Sequence, residues 1–262
     1  MIKTYLLDPE IQKYFLIFAR ISGLVIFAPP FMNNKLSIQL KGALVLAMTL
    51  GVSTGVYYTD VIFPSNFIEL TMAMFFELCI GFIIGFAIQI LFVAFQLAGE
   101  FIDRHIGFAM ASLVDPQTDI TVSILGSLLM NLGLFLFLDI GGHNLIIRSF
   151  VGSFHTIPLL NMEINQWGLI YHISELFFKS LKFAAEFALP VIIFVTMIYA
   201  IQGFLQRTIP QLQIFVVGFI FTITAGLLSI RLLLQHFIPV SEELIQYFQD
   251  RIWFIITNLN NG

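Results

Sequence analysis

The side chains that could form an active site are few in this sequence, and their spacing does not favour catalysis. His143 and His155 lie twelve residues apart, with no HxxxH pair and no carboxylate at ligand spacing to complete a metal site. Asp139 and His143 lack the nucleophile motif of a hydrolytic triad. Gly141 and Gly142 lack the lysine and the serine or threonine of a phosphate-binding loop. The sequence therefore predicts that this protein is not an enzyme and needs no cofactor.

A cluster of charged residues follows a long apolar run and consists of Glu100, Asp103 and Arg104. These three side chains could pass protons along a helix end. Glu100 and Arg104 also have the i,i+4 spacing of an ordinary helical ion pair, which is the simpler interpretation.

Composition places the chain in a membrane or a membrane assembly. Its 262 residues are 58% hydrophobic and 11% charged, whereas soluble domains carry about 25% charged residues. A formal net charge of −4 and the lack of a basic cluster argue against a nucleic-acid partner. Cys79 is the only cysteine, which excludes an intrachain disulfide.

The stretch from Glu69 to Asp119 contains the main structural signal. Between Leu78 and Ala98 it has no charge and no proline, and this run is long enough to cross a hydrocarbon core of about 30 Å. It then continues into a segment rich in glycine, alanine and serine that ends at Asp115-Pro116. We expect a long helix that positions a loop of small residues.

Small residues at four-residue spacing mark one side of this predicted helix. Gly81 and Gly85 form a GxxxG motif, and Ala94 and Ala98 repeat the spacing further along. We expect another helix to approach closely here, either from the same chain or from a partner. Glu77 lies one turn earlier among apolar residues, where a carboxylate is costly unless it is paired, protonated or close to water.

The remaining apolar segments predict an all-α membrane protein with about six long apolar helices and one or two amphipathic helices. No β-type alternation occurs. Pro29-Pro30 should end or kink the first helix, Asp139 to His143 should end another, Pro190 should kink a third, and Ser241 should begin a C-terminal helix. Glu175 with Lys179 and Lys182 with Glu186 have i,i+4 spacing. The predicted segments are Tyr14–Phe31, Gly42–Tyr58, Ile120–Asp139, Leu145–Phe154, Trp167–Gln202, Ile214–Leu234 and Ser241–Leu259.

Four motifs in order resemble those of the FliR family of flagellar biosynthesis and type III secretion export-gate membrane proteins. They are FARISGLVIFAPPF near the start, QLAGEFIDRHIGFAMASLVDPQTD, GGHNLIIRSF in the middle, and IPQLQIFVVGF near the end. Each motif is weak alone, but the series is specific and covers nearly the whole chain. The resemblance implies one domain over 1–262, with N-terminal helices in 1–140 and C-terminal helical hairpins in 141–262.

The resemblance also implies a role for the loop at 105–119, which matches the segment that plugs the export gate. Its candidate gate residues are Gly107, Phe108, Ala109, Met110, Asp115 and Pro116. The implied partners are FliP-like, FliQ-like and FlhB-like gate subunits, unfolded proteins in transit and membrane lipid. The implied location is the bacterial inner membrane, in the flagellar basal body.

Two other functions stay open on the residues alone. A small-molecule transporter or ion channel should show paired intramembrane charges or matched inverted halves, and Arg20, Glu77 and Glu186 are sparse for that. A membrane-embedded enzyme would need catalytic groups that this sequence does not display.

Overall fold

Every regular element in the described part of the chain is a helix. The computed structural model describes residues 8–32, 37–55, 63–107, 123–160, 166–208 and 214–258. The helices are α1 (Pro9–Phe27), α2 (Pro29–Met32), α3 (Ile38–Ser53), α4 (Phe67–Ile106), α5 (Ile124–Asp139), α6 (Gly142–Thr156), α7 (Gln166–Thr208) and α8 (Ile214–Asn258). The prediction of an all-α protein is confirmed.

Local sequence signals set several helix ends. Asp8 caps α1 by accepting a hydrogen bond from the Glu10 amide, and Ser37 and Ser123 cap α3 and α5 in the same way. The first helix ends at Phe27, two residues before the proline pair, as predicted. After Asp139, the chain turns at Gly141, whose φ of +83° suits a residue without a β-carbon.

Three helices in the described residues are long and apolar enough to span a membrane: α4, Trp167–Thr208 of α7 and Gly218–Thr257 of α8. The bent pair α5 and α6 would make a fourth span if counted as one. The predicted number of six long apolar helices is therefore approximate, because the other described helices are shorter. Pro190 and Pro239 both lie inside continuous helices. The prediction that Ser241 starts a helix is wrong, because α8 runs through it from Ile214.

The chain forms two compact units, and α4, α7 and α8 each contribute to both. Unit 1 takes the described residues of Met1–Ile90, Gly141–Leu176 and Tyr247–Gly262, and unit 2 those of Leu91–Ile140 and Phe177–Gln246. Each unit thus combines N-terminal and C-terminal segments. The division into helices of 1–140 and hairpins of 141–262 stays a prediction.

Each unit has its own apolar interior. In unit 1, α1 buries Leu16, Ile17, Ile21 and Leu24, which lie at helical spacing on one face. In unit 2, the interior is aromatic. Phe95 contacts the rings of Phe183 and Phe237 at centroid distances of 5.4 and 5.8 Å, while Phe92 contacts Phe137 at 5.3 Å. The contacts of Phe95 with Phe183 and of Phe92 with Phe137 are edge-on, and such contacts add to the free energy gained by burial.

Candidate functional site

A buried ion pair lies in unit 1 where α1 crosses α4. Arg20 Nε donates to Glu77 Oε2 at 2.5 Å, and the two side chains are 0% and 2% exposed. Arg20 Nη1 also donates to the carbonyl oxygens of Ser153 and Ile157 at 3.1 and 3.0 Å. The guanidinium lies 4.3 Å from the centre of the Phe154 ring. The carboxylate that the sequence places in an apolar helix therefore has a cationic partner.

Glu77 also fixes the turn that follows α6. Its Oε1 accepts a hydrogen bond from the Leu160 amide at 3.1 Å. Leu160 has a φ of +67°, a left-handed conformation that is rare for a residue with a branched apolar side chain. Such a conformation persists only when its surroundings hold it in place. The carboxylate thus connects three parts of unit 1: α1, α4 and the 157–160 turn.

Glycines allow α1 and α4 to approach at backbone contact beside this pair. A β-carbon on Gly81 would lie 1.9 Å from the Arg20 carbonyl oxygen, and one on Gly85 would lie 2.9 Å from that of Leu24. From the other side, a β-carbon on Gly23 would lie 2.2 Å from the Leu78 carbonyl oxygen. The neighbour of the GxxxG face in the structure is therefore α1 of the same chain.

The second small-residue pair of α4 lies in unit 2. Ala94 and Ala98 are both fully buried. The adjacent Gly99 faces the start of α5, where a β-carbon would lie 2.4 Å from the Gly126 amide nitrogen. The small side chains of this part of α4 thus coincide with a close helix crossing.

Gly107 ends α4 and precedes the segment 108–122. Its φ is +94°, and its amide donates to the Asp103 carbonyl oxygen at 3.2 Å. A β-carbon there would meet the Phe219 ring at 3.4 Å and the Tyr199 hydroxyl at 3.8 Å. Tyr199 in turn donates to the His105 carbonyl oxygen at 3.0 Å. Helix α7 therefore holds the end of α4 in unit 2.

Asp103 connects the two sides of the same segment. Its Oδ2 accepts hydrogen bonds from the Ser123 hydroxyl and from the Leu125 amide, the latter at 3.1 Å. A carboxylate at the first turn of α5 satisfies a free amide and opposes the positive end of the helix dipole. The predicted gate residues Phe108, Ala109, Met110, Asp115 and Pro116 lie outside the described residues. The structure shows the contacts that hold the chain on either side of these residues, at Gly107 and at Ser123.

Sequence reasoning missed this role of Asp103, and the available signal was indirect. The sequence suggests only a possible proton relay for Asp103, and its actual partners lie 20 and 22 residues further along the chain. Ser123 before an apolar run is a recognisable helix cap. No local pattern indicates that a second acidic residue joins it.

Known proteins match nearly the whole chain. Residues 11–248 match the model of the family described as "Bacterial export proteins, family 1". The chain belongs to this family. It is 30% identical over 253 residues to the flagellar biosynthetic protein FliR of Escherichia coli K12, which covers 95% of this chain and 94% of that protein. Flagellar biosynthetic proteins FliR from Pectobacterium carotovorum (30% over 255 residues) and Bacillus subtilis (29% over 147 residues) are also similar. The first of these covers 96% of this chain and 95% of the relative, and the second covers 55% and 56%.

Several other charged residues of this export family member contact neighbouring side chains. Arg104 lies 3.8 Å from Glu100, as the i,i+4 spacing predicts, and Gln96 donates to Glu100 at 3.0 Å. Lys182 and Glu186 are likewise 3.7 Å apart. Glu175 accepts hydrogen bonds from Tyr247 and Arg251 in unit 1. Within the described residues, no three His, Cys, Asp or Glu side chains form a group that could hold a metal ion.

Proposed function

We propose that this protein is a membrane subunit of the flagellar protein export apparatus and helps to form and seal the pore through which unfolded flagellar proteins pass. The observation that carries this proposal is the similarity to FliR over 95% of the chain. Three membrane-length apolar helices among the described residues support it. We place the protein in the bacterial inner membrane, at the base of the flagellum.

Sealing is the part of this function that we assign to the segment after α4. A pore wide enough for an unfolded chain must not leak ions when idle, and apolar constrictions exclude water and ions. Phe108 and Met110 supply apolar bulk, and the thioether of methionine adapts its shape. Pro116 restricts its own backbone angle φ and the conformation of Asp115 before it. The anchoring of Gly107 by α7, and of Ser123 by Asp103, supports a segment held at both ends.

We further propose that FliP-like, FliQ-like and FlhB-like subunits cover the apolar surfaces that this chain leaves open. Helix α3 supports this, since it is apolar but buries only Val45, Thr49 and Ser53. Expressed alone, the protein should be sensitive to protease and should become resistant when the other gate subunits are co-expressed. Equal lifetimes under both conditions would contradict this dependence.

Ion leak tests the sealing role. In vesicles that hold the assembled complex, deletion of 107–110 or the substitution Gly107→Asp should raise conductance while the complex stays intact. Gly55→Asp is the matched control, because Gly55 lies in an exposed turn with only the Val52 carbonyl oxygen near its side. An intact deletion variant that neither leaks nor changes secretion would refute the seal. Failed assembly would indicate that the segment is a buried connector.

One observation favours a second candidate, a small-molecule transporter or ion channel. That function predicts paired intramembrane charges, and Glu77, which lies on the membrane-length helix α4, is paired with the buried Arg20. The chain reconstituted alone should then carry ions or solutes across vesicle membranes, and Glu77→Gln should abolish the flux. An export-gate subunit should give no flux of this kind without its partners.

A further inference from the structure

Unit 2 contains an apolar groove that the proposed sealing role does not use. It lies between α7 and α8 and has a volume of about 670 Å³, within the range of sites that bind small amphiphilic molecules. Phe187 and Val191 form a buried floor, whereas Phe194, Leu228 and Leu232 are exposed along its sides. A surface of this kind must be covered by hydrocarbon or by another protein.

Charged residues cluster at one end of the groove. Glu186 and Val240 line both the apolar groove and an adjoining depression that also contains Lys179, Lys182 and Glu243. Lys182 and Glu186 are each about two-thirds exposed and lie 3.7 Å apart. This end, which we call the polar mouth, thus offers two ammonium groups and two carboxylates. Such a balanced set favours a headgroup that carries both charges over one that is only anionic.

The polar mouth also contains a backbone acceptor that a helix normally uses internally. Pro190 lies inside α7 and lines the groove, and it has no amide hydrogen. The carbonyl oxygen of Glu186 therefore lacks its usual donor four residues later. A primary ammonium group could donate to this oxygen and to the Glu186 carboxylate. A quaternary ammonium group has no hydrogen to donate.

The dimensions of the groove match one leaflet of a bilayer. Its lining on α8 runs from Leu228 to Val240, which is about 18 Å of helix. One leaflet has a hydrocarbon thickness of about 15 Å, half that of the bilayer core. On α7, the 20 residues 187–206 carry no charge and begin directly after Glu186. The polar mouth therefore lies where an uncharged stretch of membrane length begins, which is where we expect a lipid headgroup.

We propose that this groove binds one zwitterionic phospholipid with a primary ammonium headgroup, with its acyl chains along α7 and α8. Lys182 binds the phosphate, and the carboxylate and carbonyl oxygens of Glu186 accept hydrogen bonds from the ammonium group. This binding goes beyond the proposed export function. It assigns to unit 2 a lipid that stays with the protein when bulk lipid is removed.

Native mass spectrometry of the full-length protein in detergent tests this proposal, with dioleoyl phosphatidylethanolamine, phosphatidylcholine and phosphatidylglycerol as probes. One phosphatidylethanolamine should bind about tenfold more tightly than either other lipid, the effect of one lost charged hydrogen bond. Ser229→Phe fills the groove and should abolish this binding. Leu227→Phe is the matched control, because Leu227 is 48% exposed on the same helix and does not line the groove.

Lys182→Gln and Glu186→Gln change only exposed side chains and should fold normally, so they test the headgroup contacts independently. Glu186→Gln should reduce phosphatidylethanolamine binding by about tenfold and remove the preference for this lipid. Lys182→Gln should weaken the binding of all three lipids by about tenfold and keep the preference, because all three carry the phosphate. Equal binding of all three lipids to the wild-type protein, or unchanged binding to Ser229→Phe, would overturn the proposal. It would also be overturned if the assembled complex of the Ser229→Cys variant protected this position from labelling but contained no bound phospholipid. In that case, a helix of a partner subunit fills the groove.

Discussion

Separating Arg20 from Glu77 by mutation should be among the most destabilising changes in unit 1. Both side chains are almost fully buried, so removal of either leaves a charge without its partner in a medium of low polarity. Breaking a buried ion pair in this way costs about 3–5 kcal/mol of unfolding free energy. Glu77→Leu also removes the acceptor of the Leu160 amide, which adds about 1–3 kcal/mol if that amide stays buried.

The double variant Arg20→Met, Glu77→Leu distinguishes the loss of a pair from the loss of a charge. It leaves neither charge unpaired, and apolar replacements of buried pairs are often neutral or stabilising. We therefore expect it to be more stable than the Glu77→Leu single variant, with a coupling energy of about 2–3 kcal/mol. Unfolding in mixed micelles of mild detergent and dodecyl sulfate measures these free energies.

Arg104→Leu is the control for this experiment, since it removes an arginine from a pair that water surrounds. Arg104 is 72% exposed and lies 3.8 Å from Glu100, so its loss should change stability by at most about 0.5 kcal/mol. If the effects of Arg20→Met and Glu77→Leu add within about 0.5 kcal/mol, the two charges do not stabilise each other and this reasoning fails.

Three further predictions test helix contacts. Gly81→Leu should separate α1 from α4 and lower the free energy of unfolding by about 1–3 kcal/mol. The yield of assembled complex should fall, whereas membrane insertion should not change. Gly42→Leu is the control and should assemble normally, because a side chain at position 42 would face open space. Asp103→Ala should lower the melting temperature, because it removes about 1–2 kcal/mol of unfolding free energy. The double variant with Ser123→Ala should lose less than the sum of the two single variants, because both side chains cap α5. Additive effects would contradict a shared cap. Gly107→Ala should cost about 1–2 kcal/mol through its positive φ, and an unchanged melting temperature would show that α4 does not end in that conformation.

Structural features that depend on one or two helical turns can be predicted from the sequence. The end of α5 at Asp139 follows from the glycines that come next. The contact between Glu100 and Arg104, and that between Lys182 and Glu186, follow from helical geometry alone. The membrane-length run of α4 follows from its lack of charge and proline. In each case, the residues that determine the structure are neighbours in the chain.

Contacts between distant segments were not predictable in this way. The sequence marks Glu77 as a costly carboxylate and Arg20 as an isolated charge, but they are 57 residues apart and no spacing rule joins them. Glu175 was matched to Lys179 by spacing, yet its carboxylate accepts hydrogen bonds from Tyr247 and Arg251. The continuity of α8 through Ser241 also depends on contacts between distant segments. The Ser241 side chain is fully buried inside a helix whose tertiary contacts outweigh a local preference for capping.

Hydropathy alone also could not separate faces that contact the same chain from faces that remain open. Helix α3 is mostly apolar, but its buried residues Val45, Thr49 and Ser53 form a single stripe. A β-carbon on Gly42 or Gly51 would have no neighbour within 4 Å. Helix α4 is similarly apolar, and its glycines lie against the backbones of other helices. A glycine without a neighbour leaves room for the backbone of another helix, whereas a glycine such as Gly81 already contacts a helix of the same chain. The open face of α3 is therefore where this export family member should meet lipid or a partner subunit.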